Sequence, residues 1–242
     1  MTTRKLIGVL TPSSNTALEP LTSAMVSGLP GVSAHFSRFE VTEISLRDAS
    51  LQQFDDSKII AAARLLADAR VDVICWSGTS ASWLGFETDR QLCERITAAT
   101  GIPATTSVLA LNELLVAQGA RTLGLVSPYV QEVQQRIVAN YAALGIPCVA
   151  ERHLGLSVNF EFSEVGPETL RRQLREVGAS RPAAMTIMCT NLHGAPLVDE
   201  MERELGIPIY DSVATVVWKA LRTVGVDTRA VEGWGRLFAS PA

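Results

Sequence analysis

The stretch best placed for chemistry is Cys189-Thr190-Asn191. It ends an apolar run over residues 183–188 that has the length and composition of a buried parallel strand. A helical pattern follows from Pro196 through Leu197, Met201 and Leu205. In open α/β sheets, ligands bind at the carboxyl ends of strands. A thiol there can attack, or can give and take a proton. Buried cysteines are also common as inert packing residues, so position alone does not assign a role. Three other stretches offer polar groups after apolar runs. They are Thr11-Pro12-Ser13-Ser14-Asn15-Thr16, Ser77-Gly78-Thr79-Ser80 and Ser127-Pro128-Tyr129. These loops contain no lysine or arginine, so a bound carboxylate would be held by neutral donors and helix N-termini.

Composition narrows the function classes. The chain has 242 residues, 47% hydrophobic and 19% charged, enough for one large domain or two small ones. A net charge of −4 gives no general attraction to nucleic acid or to an anionic membrane. No run of eighteen apolar residues is present, so neither nucleic acid nor membrane is expected as a partner. The short N-terminal apolar run stops at Pro12 and reads as a first strand rather than a signal peptide. Cys75, Cys93, Cys148 and Cys189 form no C-x-x-C pair, and His35, His153 and His193 have no metal-ligand spacing. No metal and no cofactor is expected, and the compartment expected is the reducing cytoplasm.

The elements that must position these residues recur along the chain. Residues 4–10 read as a strand, 32–43 as a second, 45–57 as a long loop, 59–69 as a helix and 71–76 as a buried strand. A helix through Leu92 and Ile96 ends at Gly101-Ile102-Pro103. The pattern then restarts. Arg121-Thr122-Leu123-Gly124-Leu125-Val126 echoes the first strand, residues 148–154 the second, and 183–188 the third. Leu205-Gly206-Ile207-Pro208 echoes Thr100-Gly101-Ile102-Pro103. Such a repeat predicts an α/β fold of two pseudo-symmetric Rossmann-like domains with parallel sheets and an active site in the interdomain cleft. The halves are expected at residues 1–112 and 113–212, with residues 213–242 packing back onto the first. Pseudo-symmetry sets Gly78 opposite Cys189.

These residues carry a family resemblance. Two α/β halves with a cysteine-bearing strand-end loop resemble the aspartate/glutamate racemase superfamily. Cys189-Thr190-Asn191 looks like that family's Cys-Thr-His loop, with Asn191 in place of histidine. Pro12-Ser13-Ser14-Asn15-Thr16, the position of Tyr129 and Asn159 in the 155–166 loop look like the maleate cis-trans isomerase branch. Racemases and maleate isomerases carry their first cysteine where this chain has Gly78. A Gly-Thr-Ser loop paired with one second-half cysteine resembles the arylmalonate decarboxylase branch. The resemblance implies a small dicarboxylate substrate and chemistry without a cofactor.

Racemisation needs an acid/base group on each face of a planar carbanion, and Gly78 leaves one face without one. A single thiol suits one-sided protonation instead. The expected function is decarboxylation of a malonate-type acid, with Cys189 protonating the enediolate as a general acid. Thr79, Ser80 and Tyr129 are expected to hold the oxyanion, with Gly78, Thr190, Asn15, Asn191 and Asn159 as further substrate-binding candidates. The alternatives are a maleate-type isomerase working through one cysteine, and a non-catalytic carboxylate-binding protein. Assembly as a homo-oligomer is compatible with the sequence. On this geometry a Gly78→Cys substitution is expected to supply the missing second thiol.

Overall fold

The apolar runs that recur along the chain become the inner strands of two sheets. A computed structural model describes residues 4–47 and 56–239. In the first half, β1 (Lys5–Pro12), β2 (Val32–Phe39), β3 (Val73–Trp76) and β4 (Ala104–Thr106) form a sheet in the order β2-β1-β3-β4. In the second, β5 (Leu123–Tyr129), β6 (Cys148–Leu156), β7 (Ala184–Ile187) and β8 (Ile209–Asp211) are ordered β6-β5-β7-β8. Every pairing within the two sheets is parallel. Residues of β3, β5 and β7 are buried throughout, as expected for strands covered on both faces by crossover helices.

The halves match residue for residue at their centres. Gly8 pairs with Ile74 and Ile74 with Ala104; correspondingly, Gly124 pairs with Met185 and Met185 with Ile209. Just past the strand ends, Ser77 N–H donates to Leu10 O at 3.3 Å and Met188 N–H to Val126 O at 2.8 Å. Gly78 and Cys189, the next residue in each half, are therefore structural counterparts. Gly8 and Gly124 also share a cause. A Cβ there would come within 2.9 Å of Val71 Cγ2 and 2.6 Å of Val177 Cγ1, so each glycine lets neighbouring chain pack closely on the central strand.

Helices α1 (Leu18–Val26), α2 (Asp56–Asp68), α3 (Ala81–Leu84), α4 (Phe86–Thr100) and α5 (Ser107–Ala117) accompany the first sheet. The second has α6 (Gln131–Ala143), α7 (Pro167–Gly178), α8 (Val198–Leu205) and α9 (Ser212–Thr223). Helix α9 crosses back to pack on α5 and α1, where Thr215 Oγ1 donates to Ser107 O at 3.1 Å and Lys219 pairs with Glu113. The segment beyond α9 returns to the second half. Buried Glu202 accepts from Ile209 N–H at 2.8 Å and from Arg236 N–H at 2.7 Å.

Three boundaries differ from the periodicity. Strands β1 and β5 run on to Pro12 and Tyr129, because β2 and β6 extend alongside them. Strand β2 stops at Phe39, short of the predicted residue 43. Beyond it the chain pairs with the other half: Ile44 N–H donates to Ser157 O at 2.8 Å and Asn159 N–H to Thr42 O at 2.9 Å. The helix after β3 breaks at Gly85, whose φ of +107° a side chain rarely adopts. Residues 48–55 of the loop predicted at 45–57 lie outside the described residues.

Candidate active site

Cys189 follows β7 and is 2% exposed. Its sulfur accepts the Asn191 N–H at 3.3 Å and faces the Tyr129 hydroxyl. Burial pushes the thiol up to about 12; the Asn191 N–H and the Tyr129 hydroxyl pull the other way, and the nearby Asp211 carboxyl adds to the rise. At neutral pH the group is a thiol, the form a proton donor requires. Tyr129, at the end of β5, is fixed on three sides. Its hydroxyl lies 2.6 Å from Thr79 Oγ1, and its ring sits edge-on between Trp83 at 5.2 Å and Phe162 at 5.6 Å. Burial first, then the Cys189 sulfur, hold the phenol well above its ordinary value. Thr79, Tyr129 and Cys189 thus form a hydrogen-bonded line across the cleft.

Gly78 lines the same cavity as Cys189, together with Thr79, Ser80, Tyr129, Asn159 and Thr190. No side chain fits at Gly78 as the cleft stands, because a Cβ there would lie 2.1 Å from Cζ2 of Trp76. The indole, packed on Phe39 with centroids 5.0 Å apart, occupies the place of the missing group. The expectation that Gly78→Cys alone supplies a second thiol is therefore corrected: Trp76 must also give way. Pro12, Val41, Ile44 and Trp83 complete an apolar wall. The cavity measures about 20 Å³, room for roughly one water, so entry of a dicarboxylate requires side chains to move.

The remaining candidates are braces between the halves. Asn15 caps α1 by accepting from Ala17 and Leu18 N–H at 3.0 Å, and its Nδ2 donates to Thr190 Oγ1 at 3.2 Å. Thr190 Oγ1 donates to Ser77 O at 3.2 Å. Asn191 Oδ1 accepts from Thr16 N–H at 2.9 Å and Ala17 N–H at 3.2 Å, while its Nδ2 donates to Asn159 O at 2.6 Å. Asn159 Nδ2 reaches Ser14 Oγ at 2.8 Å. Ser80, 5% exposed, keeps its hydroxyl unengaged by other described residues. His193 is exposed and Phe160 is 49% exposed, so neither belongs to the cleft.

Sequence reasoning missed Val41, Ile44 and Asp211. Val41 and Ile44 lie in the segment read as continuous strand. Asp211 occupies the place of Thr106 in the repeat, and both cap the next helix: Thr106 Oγ1 accepts from Leu109 N–H, and Asp211 Oδ1 from Val213 and Ala214 N–H. Among the described residues no group of three or more His, Cys, Asp or Glu could hold a metal ion, and no helix is long and apolar enough to cross a membrane.

Known proteins are similar to this chain in sequence and fold. A maleate isomerase of Nocardia farcinica is 29% identical over 241 residues, covering 96% of this chain and 94% of that protein. An arylmalonate decarboxylase of Bordetella bronchiseptica is 30% identical over 183 residues, covering 74% of this chain and 76% of that protein. A solved structure of the Nocardia isomerase superposes with a TM-score of 0.88 at 26% identity, covering 98% of this chain and 99% of that one. It is a cysteine-to-serine variant with a covalently bound succinylcysteine intermediate. Residues 7–238 match the family described as arylmalonate decarboxylase, and the chain belongs to that family.

Proposed function

We propose that this protein is a cofactor-independent enzyme that decarboxylates a malonate-type dicarboxylic acid and protonates the product on one face through Cys189. The observation that carries this reading is the pair of strand ends: a buried thiol on one, and on the other Gly78 with the Trp76 ring where a second thiol would stand. The bond between the α-carbon and one carboxylate breaks, and carbon dioxide leaves. The electron pair stays as an enediolate, whose oxygens take hydrogen bonds from Thr79, Ser80 and Tyr129. One such donor is worth about 3 kcal/mol in the transition state. The S–H bond of Cys189 then gives its proton to the α-carbon. The resulting thiolate keeps the Asn191 N–H and regains a proton from solvent. The apolar wall of Val41 and Ile44 disfavours a charged carboxylate and favours its loss as neutral carbon dioxide.

The second reading is a maleate isomerase, and overall similarity favours it: four maleate isomerases each match 92% or more of the chain. The Nocardia adduct sits on a cysteine other than the one replaced by serine. Here Cys189 would serve as both nucleophile and acid, and its raised pKa makes it a poor nucleophile at neutral pH. Incubation with substituted malonates and with maleate separates the two. Carbon dioxide release, lost in Cys189→Ser, supports decarboxylation. Conversion of maleate to fumarate without carbon dioxide release from any malonate overturns it.

A further inference from the structure

The halves also differ in the side chain that caps the helix after their last strand. Thr106, at the end of β4, caps α5 with its one oxygen. Asp211, at the end of β8, caps α9 with Oδ1 alone, which takes the N–H groups of Val213 and Ala214. Capping needs no second oxygen. Yet Asp211 is fully buried, and its Oδ2 has no hydrogen-bond partner among the described residues. That oxygen lies against the loop that carries Cys189. Asp211 stands beside Ile187 in the β7–β8 pairing, and a Cβ on Gly194 would come within 2.8 Å of Ile187 Cδ1 and 3.0 Å of Oδ2. Cys189 lies on the stretch between Ile187 and Gly194.

No cation offsets this carboxyl among the described residues. On α8, Glu202 takes the N–H groups of Ile209 and Arg236, and the other charged groups pair with one another or with α7. Lys219 of α9 pairs with Glu113, and Arg222 lies over the Trp218 ring. Burial and then Glu202 raise the neighbouring Tyr210 phenol, and β7 carries no titratable side chain. The group that Asp211 bears on is Cys189: burial first, and then this carboxyl, raise the thiol. Burial also pushes Asp211 itself up to about 7, so its charge changes in the neutral range. A carboxylate and a thiolate buried side by side oppose each other.

We propose that Asp211 is a positioning residue for the proton of Cys189: neutral, it lets the thiol give that proton up, and ionised, it holds the proton back and slows the reaction. The inference rests on the reading above that Cys189 is the proton donor. It also explains why the carboxyl stands on the thiol side of the repeat and a threonine on the glycine side.

The test follows carbon dioxide release from phenylmalonate, and loss of maleate, across the neutral range in ordinary and heavy water. In the wild type, kcat should fall about threefold to tenfold as pH rises through about 7, with KM nearly unchanged and a solvent isotope effect that grows over the same range. Asp211→Asn and Asp211→Thr, the second copying Thr106, both keep a capping oxygen. Each, folded by circular dichroism, should hold kcat level across that range. A level wild-type profile, the same fall in both variants, or loss of activity at every pH in both folded variants overturns the inference while carbon dioxide release upholds the decarboxylase reading. Maleate conversion without carbon dioxide release removes that reading, and a fall on maleate that both variants lack keeps the role of Asp211. Turnover of neither compound overturns both.

Discussion

The two strand-end loops leave equivalent strands of the repeat and are held differently. After β7, the Cys189 loop is tied to the first half by Thr190 with Asn15 and Ser77, and by Asn191 with Thr16 and Ala17. After β3, the Gly78 loop makes one side-chain bond across the cleft, between the Thr79 and Tyr129 hydroxyls, and leaves the Ser80 hydroxyl unengaged by other described residues. Thr79 and Thr190 are counterparts, and each reaches the other half. Under the proposed reaction, one loop is the braced mount of the proton donor and the other supplies donors to the enediolate oxygens. The repeat is thus one-sided, with a thiol at Cys189 and, at its counterpart Gly78, the indole of Trp76 two residues earlier in the chain filling the space a side chain would take.

Breaking the thiol side should have the largest effect. Cys189→Ala is expected to lower kcat by about 10³-fold or more while the protein still binds product analogues, measured by carbon dioxide release and calorimetry. On the donor side, Thr79→Val removes a hydrogen bond to Tyr129 and a donor to the enediolate. It should cost about 10²-fold in kcat with a smaller change in KM. The asymmetry itself can be reversed. Gly78→Cys alone should give no racemisation of the product, because Trp76 holds the space. Gly78→Cys with Trp76→Ala should give measurable racemisation by chiral chromatography. Racemisation by the single variant contradicts the role assigned to the indole.

The fold was legible because the repeat is written in residues that packing requires: Gly8 and Gly124 under close-packed chain, and Gly-Ile-Pro after α4 and again after α8. Cys189, Thr79, Ser80 and Tyr129 were legible as polar groups ending apolar runs. The Trp76 obstruction was not, since it depends on where the indole lies between Phe39 and Gly78. The brace roles of Asn15 and Asn191 were not legible either, because an amide in a loop looks the same whether its partner is a ligand or the opposite half. Val41 and Ile44 were hidden by the departure of the chain from β2, which only pairing with residues 157–159 explains.

Smaller effects refine the contrast. Asn191→Ala removes the amide that links Thr16, Ala17 and Asn159, and should lower stability by about 1–3 kcal/mol in denaturant titrations. Asp211 gives the mildest test. Burial pushes its carboxyl up to about 7 against the pull of the Val213 and Ala214 N–H groups. A folded pKa above the unfolded value of 3.8 means the folded state holds the proton more tightly. Its contribution to stability is full below that unfolded value and is lost as pH rises through about 7. Asp211→Asn should therefore gain on the wild type between these limits and hold that gain above them. The gain expected is on the order of 1 kcal/mol, or about 2–4 °C in Tm.

The central claim is that protonation comes from one face only, and the most direct measurement is the stereochemistry of the product formed in heavy water. A prochiral substituted malonate should give one enantiomer carrying a single α-deuterium, and product returned to the enzyme should keep its configuration. A racemic product, or racemisation of added product with deuterium entering on the opposite face, would contradict a single proton donor at Cys189.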